Sequence, residues 1–300
     1  MNRVGFNVRV AVDADVMLDW FAEHGRDLPW REPDCTAWGV LVSEIMLQQT
    51  PVARVQPIWL EWMARWPLPS ALAAETTGEV VRAWGKLGYP RRALRLHAAA
   101  TVVAVEHGDV VPSDVDTLLA LPGIGAYTAR AVAAFAYGKR APVVDTNVRR
   151  VVARAMHGAG DAGPASNTRD MADVEVLLPA EDAPAAKMSA ALMELGALIC
   201  TARSPRCADC PIYEDCAWQH AGKPAYAGPA KPVQKFAGTD RQVRGLLLDV
   251  LRGSEGPVEK GRLDLVWHEA GQRDRCLASL LVDGLLEQTD AGLFALPGEH

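Results

Sequence analysis

Four cysteines near residue 200 constrain the folding of this chain more than any other feature of its sequence. They are Cys200, Cys207, Cys210 and Cys216, with the spacing C-x6-C-x2-C-x5-C within seventeen residues. Four thiolates this close in sequence can surround one metal centre. A zinc ribbon more often has two C-x2-C pairs far apart, whereas this chain has one such pair and two wider spacings. The pattern therefore favours a [4Fe–4S] cluster, with zinc as the alternative.

The composition predicts a folded chain of two or three domains. Of its 300 residues, 49% are hydrophobic and 23% are charged. No apolar run approaches roughly 18 residues without a charge, and the first ten residues lack the apolar centre of a signal peptide. We therefore expect a cytoplasmic protein that does not associate with a membrane. The net charge of −6 argues only weakly against a nucleic-acid partner, because binding depends on local patches.

Helical periodicity dominates residues 1–222, where apolar residues recur at spacings of three and four. A Pro, Gly and Ala-rich stretch then predicts a linker at 223–238. After it, the pattern predicts three helices and two short strands within 285–296. We therefore expect a mainly α fold with a small winged-helix-like module at 239–300.

The segment SEIMLQQTP carries one acid, Glu44, in an apolar run and ends in an amide pair, Gln48 and Gln49. Pro51 disfavours helix before it, so one helix should end near Gln49 or Thr50 and Thr50 should cap the next. A carboxyl group in an apolar setting keeps its proton more readily and can donate it near neutral pH. From this segment alone, Glu44 can equally face water, and both glutamines can be ordinary surface residues.

The segment LPGIGAY predicts a tight turn between two helices. Gly123 and Gly125 permit the turn, and the second helix should begin near Ala126. This is the pattern of a helix–hairpin–helix, in which free amides at the second helix can bind a DNA phosphate. An ordinary helical hairpin is the alternative.

A second acid, Asp145, interrupts the apolar segment APVVDTNVRRVV. On local evidence it can simply cap the helix that begins near Asn147. Basic residues near this segment and near LGYP (87–90) are expected to form a DNA surface. They are Arg91, Arg92, Arg95, Lys139, Arg140, Arg149, Arg150 and Arg154.

Four segments and the cysteine cluster, taken in order, carry a family resemblance. The segments are SEIMLQQTPVARV, LGYPRRALRLHAAA, LPGIGAYTARAV and VVDTNVRRV. Together they resemble the adenine DNA glycosylases of the MutY type, within the helix–hairpin–helix superfamily that includes endonuclease III. The resemblance covers roughly residues 15–222. It implies a two-lobed fold, with a six-helix domain of about 36–145, a cluster domain from about 1–35 and 146–222, and DNA between them.

The resemblance also implies catalytic roles. Glu44 matches the acid that protonates adenine, chiefly at N7, and Asp145 matches the carboxylate that stabilises the cationic sugar. Tyr127 matches a tyrosine that supports this chemistry. In relatives with lyase activity, a lysine that forms a Schiff base stands at the position of Tyr127. Its absence here predicts a monofunctional glycosylase.

Further positions match residues that bind DNA or the substrate base. Residues that resemble the duplex wedge, its flanks and the phosphate-binding hairpin are Gln48, Gln49, Thr50, Leu87, Tyr89, Arg91, Gly123 and Gly125. Residues that resemble the adenine pocket are Arg26, Trp30 and Leu47. The four cysteines match the ligands of a [4Fe–4S] cluster. Carbonyl groups that resemble a monovalent-cation site belong to Leu119, Leu121 and Ile124.

The expected activity is hydrolysis of the glycosidic bond of adenine opposite 8-oxoguanine or guanine in duplex DNA, by a monomer. The alternatives are an endonuclease III-like or mismatch-specific pyrimidine glycosylase and, in another class, a non-catalytic DNA-binding protein.

Three departures from the family pattern affect the expected recognition of adenine and of the base opposite it. The tail is too short for the usual MutT-like domain, Pro90 follows Tyr89, and Ser189-Ala190 stands where many members carry an amide or acid.

Overall fold

The computed structural model describes residues 12–229 and 236–299 as a mainly α protein. The predicted absence of a signal peptide and part of the predicted linker concern positions outside these ranges. In this described part, no helix has both the length and the apolar character needed to cross a membrane. The first twelve helices are α1 Ala14–His24, α2 Ala37–Leu47, α3 Val52–Arg65, α4 Pro69–Ala73, α5 Thr77–Trp84, α6 Arg91–Glu106, α7 Val115–Ala120, α8 Ala126–Phe135, α9 Thr146–Ala155, α10 Asn167–Glu175, α11 Asp182–Leu198 and α12 Ala217–His220.

The chain divides into two compact units that do not follow the chain in two simple blocks. The first unit contains the described residues of 1–35, 113–115 and 125–230, and the second contains those of 36–112, 116–124 and 231–300. Residues 125–145 therefore group with the first unit. The predicted domain boundaries remain a prediction.

The first unit is built around α1, α9 and α11. Its core contains Met17 from α1, Val151 from α9 and Leu192 from α11, all fully or almost fully buried. The helices α9 and α11 approach closely at Gly196. A Cβ added there would lie 2.7 Å from Cβ of Asn147, so the packing at this point needs a residue without a side chain.

The second unit has a core rich in tryptophan. Trp62 packs edge-on against Trp66, with ring centroids 4.8 Å apart, and also against Trp84, at 5.6 Å. Each of the three indoles is almost completely buried. A buried indole nitrogen needs an acceptor, and Nε1 of Trp62 donates to the carbonyl oxygen of Ala83 at 3.1 Å. Helices α3 and α5 are joined in this way.

Residues 236–299, here called the tail module, form the predicted three helices and two short strands. The elements are α13 Asp240–Arg252, α14 Lys260–Asp264, α15 Ala270–Val282, β1 Glu287–Gln288 and β2 Phe294–Ala295. The strands are antiparallel, with Glu287 opposite Ala295, and Val258 adds a bridge to Phe294. The apolar core of the module includes Val81 of α5. The tail module is therefore continuous with the rest of the second unit.

One buried arginine holds two segments of the second unit together. Arg92, at the start of α6, is only 6% exposed. Its Nη1 donates to the carbonyl oxygens of Ile45 and Met46, at 2.8 and 2.9 Å. Its Nη2 donates to the carbonyl oxygens of Leu87 and Gly88, at 3.2 and 2.9 Å. The planar guanidinium thus joins the last turn of α2 to the loop before α6.

Replacement of Arg92 by lysine should destabilise the protein although the charge is kept. An ammonium group cannot reproduce the fork, so buried carbonyl groups lose their donors, at a cost of about 3 kcal/mol in the free energy of unfolding. Urea unfolding followed by circular dichroism measures this change. The matched control is Arg91→Lys at the exposed neighbouring position, with an expected loss of less than about 0.5 kcal/mol. Equal effects of the two substitutions would contradict the structural role of Arg92.

Candidate functional site

Glu44 lies in the interior of the second unit. It belongs to α2, in which every residue from Trp38 to Met46 is buried, and Glu44 itself is 5% exposed. The alternative that it faces water on an amphipathic helix is therefore wrong. An acid at such a buried position is unfavourable for stability, because burying a carboxyl group costs free energy.

The helix junction after Glu44, residues 48–51, is here called the glutamine corner. The first helix ends at Leu47, with Gln48 as its C-cap, and the next begins at Val52 with Pro51 as N-cap. The predicted N-cap role of Thr50 is wrong, because its buried hydroxyl has other partners. It donates to the carbonyl oxygen of Leu87 at 3.1 Å and accepts from Nη2 of Arg92 at 3.0 Å.

Gln49 is the exposed residue of the corner and has a left-handed backbone, with φ of 56°. Few side-chain-bearing residues adopt this conformation, and it costs about 1 kcal/mol or more relative to the ordinary helical region. We attribute this backbone conformation to the next residue, because the hydroxyl of Thr50 is fixed by hydrogen bonds with Arg92 and Leu87. The amide side chain is thus presented outward from a corner whose base is buried.

Residues 87–90, here called the Tyr89 loop, present a second exposed side chain. Leu87 is only 2% exposed, so the structure places this predicted wedge residue in the core. Tyr89 is 40% exposed and also has a left-handed backbone, with φ of 46°. Arg91, beyond the loop, is exposed, and its Nη1 lies 3.3 Å from Oδ1 of Asp283. Of these residues, Tyr89 and Arg91 are the ones that solvent reaches.

The predicted hairpin has the expected turn residues. Gly123 has φ of 74°, and a Cβ at this position would lie 2.7 Å from Cβ of Arg95. Both the backbone conformation and the close approach therefore require glycine. Gly125 is the N-cap of α8, which begins at Ala126 as predicted. The carbonyl oxygen of Leu121, one of the three suggested for a cation, accepts from the amide of Ile124 at 3.2 Å.

Asp145 lies in the first unit and is the N-cap of α9. Its Oδ1 accepts from the amide of Val148 at 2.7 Å, and its Oδ2 accepts from Nδ2 of Asn147 at 2.9 Å. Burial raises the pKa of Asp145, while these hydrogen bonds and the charge of Arg150 oppose the rise. The capping role suggested by the sequence is confirmed. It fixes the carboxylate on the rigid first turn of a helix.

Tyr127 is also in the first unit, in the first turn of α8. It is half-buried and packs against a small cluster that includes Ala131, Ala134 and Val143. Phe135 packs against the same cluster from the far end of α8. The ring of Tyr127 is thus supported on a rigid helix.

Arg26, predicted to line the adenine pocket, is engaged by a buried acid of α11. Its Nε and Nη2 donate to the two carboxylate oxygens of Glu194 at 2.7 and 2.8 Å. Nη2 of Arg31 donates to Glu194 at 2.9 Å. Trp30, between the two arginines in sequence, is buried. The predicted pocket residue Leu47 is half-buried in the second unit.

Glu194 was missed by the sequence analysis although the signal was present. It stands in the apolar helical run AALMELGAL, as Glu44 stands in its own run. Burial disfavours its charged form, but hydrogen bonds from Arg26 and Arg31 outweigh burial and lower the pKa of Glu194 to about 2.

Ser189, four positions after Ala185 in the same helix, is fully buried and donates to the carbonyl oxygen of Ala141 at 3.0 Å.

Several arginines predicted to form a DNA surface have structural roles instead. Arg92, Arg150 and Arg154 are buried. Arg149 forms an ion pair with Asp170 at 2.7 Å, and Arg140 forms one with Glu175. The prediction from sequence counted too many arginines as exposed to DNA. Spacing alone does not distinguish a solvated arginine from one that binds carbonyl groups or carboxylates.

The four cysteines surround one cavity in the first unit. The cavity is lined by Cys200, Cys207, Cys210 and Cys216 together with Ile199, Tyr213 and Trp218. In residues 12–229 and 236–299, no three His, Cys, Asp or Glu side chains are arranged to hold a single metal ion. Four cysteines that line one cavity are a donor set that fits a cluster in which each iron takes one thiolate.

Positive charge lies next to the cysteine cavity. Burial raises the pKa of Cys210 to about 12, so an isolated thiolate is disfavoured there. Arg154 donates to Sγ of Cys200 at 3.4 Å and to the carbonyl oxygen of Thr201 at 2.8 Å. Its guanidinium also lies 4.6 Å from the ring centroid of Trp218. The donor set and this buried cation fit an anionic thiolate-ligated cluster.

Two family profiles match the chain. Residues 42–172 match the HhH-GPD superfamily base excision DNA repair protein. Residues 200–216, which begin and end at the outer cysteines, match the iron–sulfur binding domain of endonuclease III. The fold and these matches define the class as a helix–hairpin–helix DNA repair protein with an iron–sulfur binding domain.

The curated relatives are more specific. An adenine DNA glycosylase of Mycobacterium tuberculosis (strain CDC 1551 / Oshkosh) is 61% identical over 285 residues, covering 94% of this chain and 93% of that protein. One of Mycolicibacterium smegmatis (strain ATCC 700084 / mc(2)155) is 64% identical over 284 residues, covering 94% and 95%. One of Homo sapiens is 38% identical over 208 residues, covering 67% and 38%. The chain therefore belongs to the adenine DNA glycosylase family of base excision repair enzymes.

Solved structures support the same fold. The structure of a thermostable thymine-DNA glycosylase matches with a TM-score of 0.63 and 28% identity, covering 69% of this chain and 95% of that one. A non-covalent endonuclease III–DNA complex matches with a TM-score of 0.59 and 22% identity, covering 70% and 94%. The predicted helix–hairpin–helix glycosylase fold is confirmed.

Replacement of Glu194 by glutamine should produce a pH-dependent loss of stability. The pKa of Glu194 falls from an ordinary 4.5 to about 2 on folding, so its contribution is present above pH 4.5 and is lost as pH falls towards 2. We expect the variant to lose at most about 3 kcal/mol of unfolding free energy at pH 7. Urea titrations between these pH values should show the difference from wild type shrinking as pH falls.

The control for this experiment is Glu181→Gln, at the exposed N-cap of the same helix, α11. That residue has no side-chain hydrogen bond to the helix, so its substitution should have little effect at any of these pH values. A pH-independent loss in Glu194→Gln would show that the arginine pairs do not stabilise the charged form.

Proposed function

We propose that this enzyme hydrolyses the glycosidic bond of adenine opposite 8-oxoguanine or guanine in duplex DNA and leaves an abasic site. The observation that carries the proposal is the burial of Glu44 in an apolar helix, five positions before the exposed Gln49, in a chain of this family. A buried carboxyl group has a functional explanation here, since removal of adenine needs a proton donor.

The proposed chemistry divides the work between two carboxyl groups. Adenine is a poor leaving group as an anion, so Glu44 donates a proton to the base, which then leaves as a neutral molecule. The sugar acquires oxocarbenium character as the bond breaks, and Asp145 stabilises it as a carboxylate. Hydrogen bonds from Val148 and Asn147 support the charged form of Asp145 against burial. Water then adds to the anomeric carbon of the sugar and gives up a proton to the Glu44 carboxylate, which restores the acid.

Base flipping is the second requirement, because the adenine glycosidic bond is not accessible within the stack. Gln49 and Tyr89 are exposed and have left-handed backbones, and their neighbours Thr50 and Gly88 accept hydrogen bonds from Arg92. We assign Gln49 to the space left by the adenine and Tyr89 to the opposite base. The buried Thr50 and Leu87 position these two residues. The proposed phosphate contacts are the hairpin at Gly123 and Gly125 and the exposed Arg91.

The substrate class is the point at which related proteins differ. The thymine-DNA glycosylase noted above shares this fold, so fold alone does not select adenine. Removal of a pyrimidine does not require an acid that protonates a purine ring. Glu44 is therefore the residue that distinguishes an adenine glycosylase from a pyrimidine glycosylase. Tyr127 stands where lyase-competent relatives carry lysine, so the proposed enzyme is monofunctional. We propose that it acts on DNA as a monomer.

We further propose that the four cysteines bind a [4Fe–4S] cluster with a structural role. When bound, the cluster supplies the covalent connections that fix the loop between α11 and α12. Arg154 and Arg150 bind carbonyl oxygens at the border of this loop, including those of Thr201 and Cys200. A monovalent cation at the carbonyls of Leu119, Leu121 and Ile124 stays a prediction.

Replacement of Glu44 by glutamine should abolish adenine release while DNA binding persists. Loss of a positioned general acid typically costs 10²–10⁴-fold, so we expect a decrease of at least about 1,000-fold in the single-turnover rate. The assay uses duplexes that carry each mismatch or lesion and scores the released base and alkali-independent nicking. Glu61→Gln, at an exposed acid of α3, is the control. Near-normal adenine release by the Glu44 variant, or release of thymine or uracil by wild type, would sink the assignment.

The purified protein should be brown and contain about four iron atoms and four sulfides per chain. Anaerobic purification, metal analysis and the absorbance near roughly 400 nm test this expectation. Cys210→Ser should lower the iron content, whereas Cys35→Ser, outside the C-x6-C-x2-C-x5-C set, should not. Stoichiometric zinc without iron in anaerobically prepared protein would count against the cluster.

A further inference from the structure

The tail module lies against the segment that carries the Tyr89 loop. Before the loop, Nε of Arg252 donates to the carbonyl oxygen of Val81 at 3.1 Å, and the amide of Gly78 donates to the carbonyl oxygen of Pro297 at 2.9 Å. After the loop, Asp283 forms the ion pair with Arg91. The module therefore contacts the chain on both sides of residues 87–90.

One residue of the module reaches the loop itself. The guanidinium carbon of Arg241, in the first turn of α13, lies 5.5 Å from the ring centroid of Tyr89. The guanidinium carbon of Arg92 lies 5.8 Å from the same centroid. A cation at this distance is attracted to the aromatic ring, by about 0.5–1 kcal/mol at an exposed site. The ring of Tyr89 thus has two arginines close to it, the buried Arg92 and Arg241 of the tail module.

The tail module is acidic, and several of its cations are paired within the module. Residues 236–299 contain seven Lys or Arg residues and eleven Asp or Glu residues. In its third helix, α15, Nη2 of Arg275 binds Asp240 at 2.9 Å and Nε of Arg273 binds Asp264 at 2.9 Å. A winged-helix surface that binds phosphates needs an excess of solvated cations. The acidic, internally paired surface suits packing within the protein.

We propose that the tail module is a brace for the Tyr89 loop, and that Arg241 is a positioning residue for recognition of the base opposite the adenine. The inference rests on the proposed function. The left-handed backbone at Tyr89 is strained, and an exposed aromatic ring on such a backbone has alternatives when free. Arg241 restricts the ring of Tyr89 before DNA binds, so the side chain loses less conformational entropy when the complex forms.

A double-mutant cycle between Arg241 and Tyr89 tests the inference. Arg241→Ala, Tyr89→Ala and the double variant are compared in single-turnover reactions over a range of duplex concentrations. The duplexes carry adenine opposite 8-oxoguanine or opposite guanine. For Arg241→Ala we expect the half-saturating concentration of the 8-oxoguanine duplex to rise about 3–5-fold, with the saturating rate changed less than twofold. In the Tyr89→Ala background the same substitution should add nothing.

Two further variants separate positioning from charge and folding. Arg241→Lys keeps the cation and should restore most of the affinity, since lysine also attracts an aromatic ring. Arg262→Ala removes one exposed charge from α14 of the same module and should leave the half-saturating concentration unchanged. The slope of affinity against salt should be the same for wild type and Arg241→Ala, because no phosphate contact is lost.

Several results would overturn the inference. One is an additive cycle, and another is an effect of Arg241→Ala equal to that of Arg262→Ala. A reduced salt slope would show instead that Arg241 binds a phosphate. The wild-type reactions test the proposed function separately, because a wild type that releases no adenine would reject that function. An active wild type with an additive cycle would reject only the role of Arg241.

Discussion

The forked contact of Arg92 is the interaction on which the proposed DNA-facing part of the second unit depends. One guanidinium satisfies the carbonyl oxygens of Ile45 and Met46 at the end of α2 and those of Leu87 and Gly88 before α6. Burial lowers the pKa of Arg92 to about 10, so the group stays charged at neutral pH and its hydrogen bonds remain charge-assisted. Glu44, the proposed proton donor, lies on one of the joined segments, and Tyr89, proposed to contact the opposite base, lies on the other. The residues that we assign to chemistry and to recognition are thus held by one side chain.

The sequence was informative where residue type determines geometry. The cysteine spacing predicted one shared metal centre, and the four cysteines line one cavity. Gly123 was predicted to permit a tight turn, and the structure has no room for a Cβ there. In the tail, apolar residues at helical spacing predicted the helices, and the segment 285–296 was predicted to form two short strands. These features depend on local spacing and backbone preference, which one sequence contains.

The sequence was misleading where a long side chain has a choice of partners. Arg92 was grouped with exposed arginines, yet it is buried and bound to carbonyl groups distant in sequence. Thr50 was expected to cap a helix, but tertiary hydrogen bonds from Arg92 and to Leu87 took precedence. The apolar run around Glu194 marks it as a buried acid, but its partners Arg26 and Arg31 lie more than 160 residues away. Such partners are a property of the fold, and spacing does not reveal them.

The left-handed backbones at Gln49 and Tyr89 have a consequence for how this enzyme tolerates change. At both positions glycine would relieve the strain of the folded state and remove the side chain that we assign to DNA. Selection for thermal stability alone would therefore favour glycine at these two sites, and selection for repair would oppose it. A library screened by heat and then by activity should show this conflict at residues 49 and 89 and not at their buried neighbours.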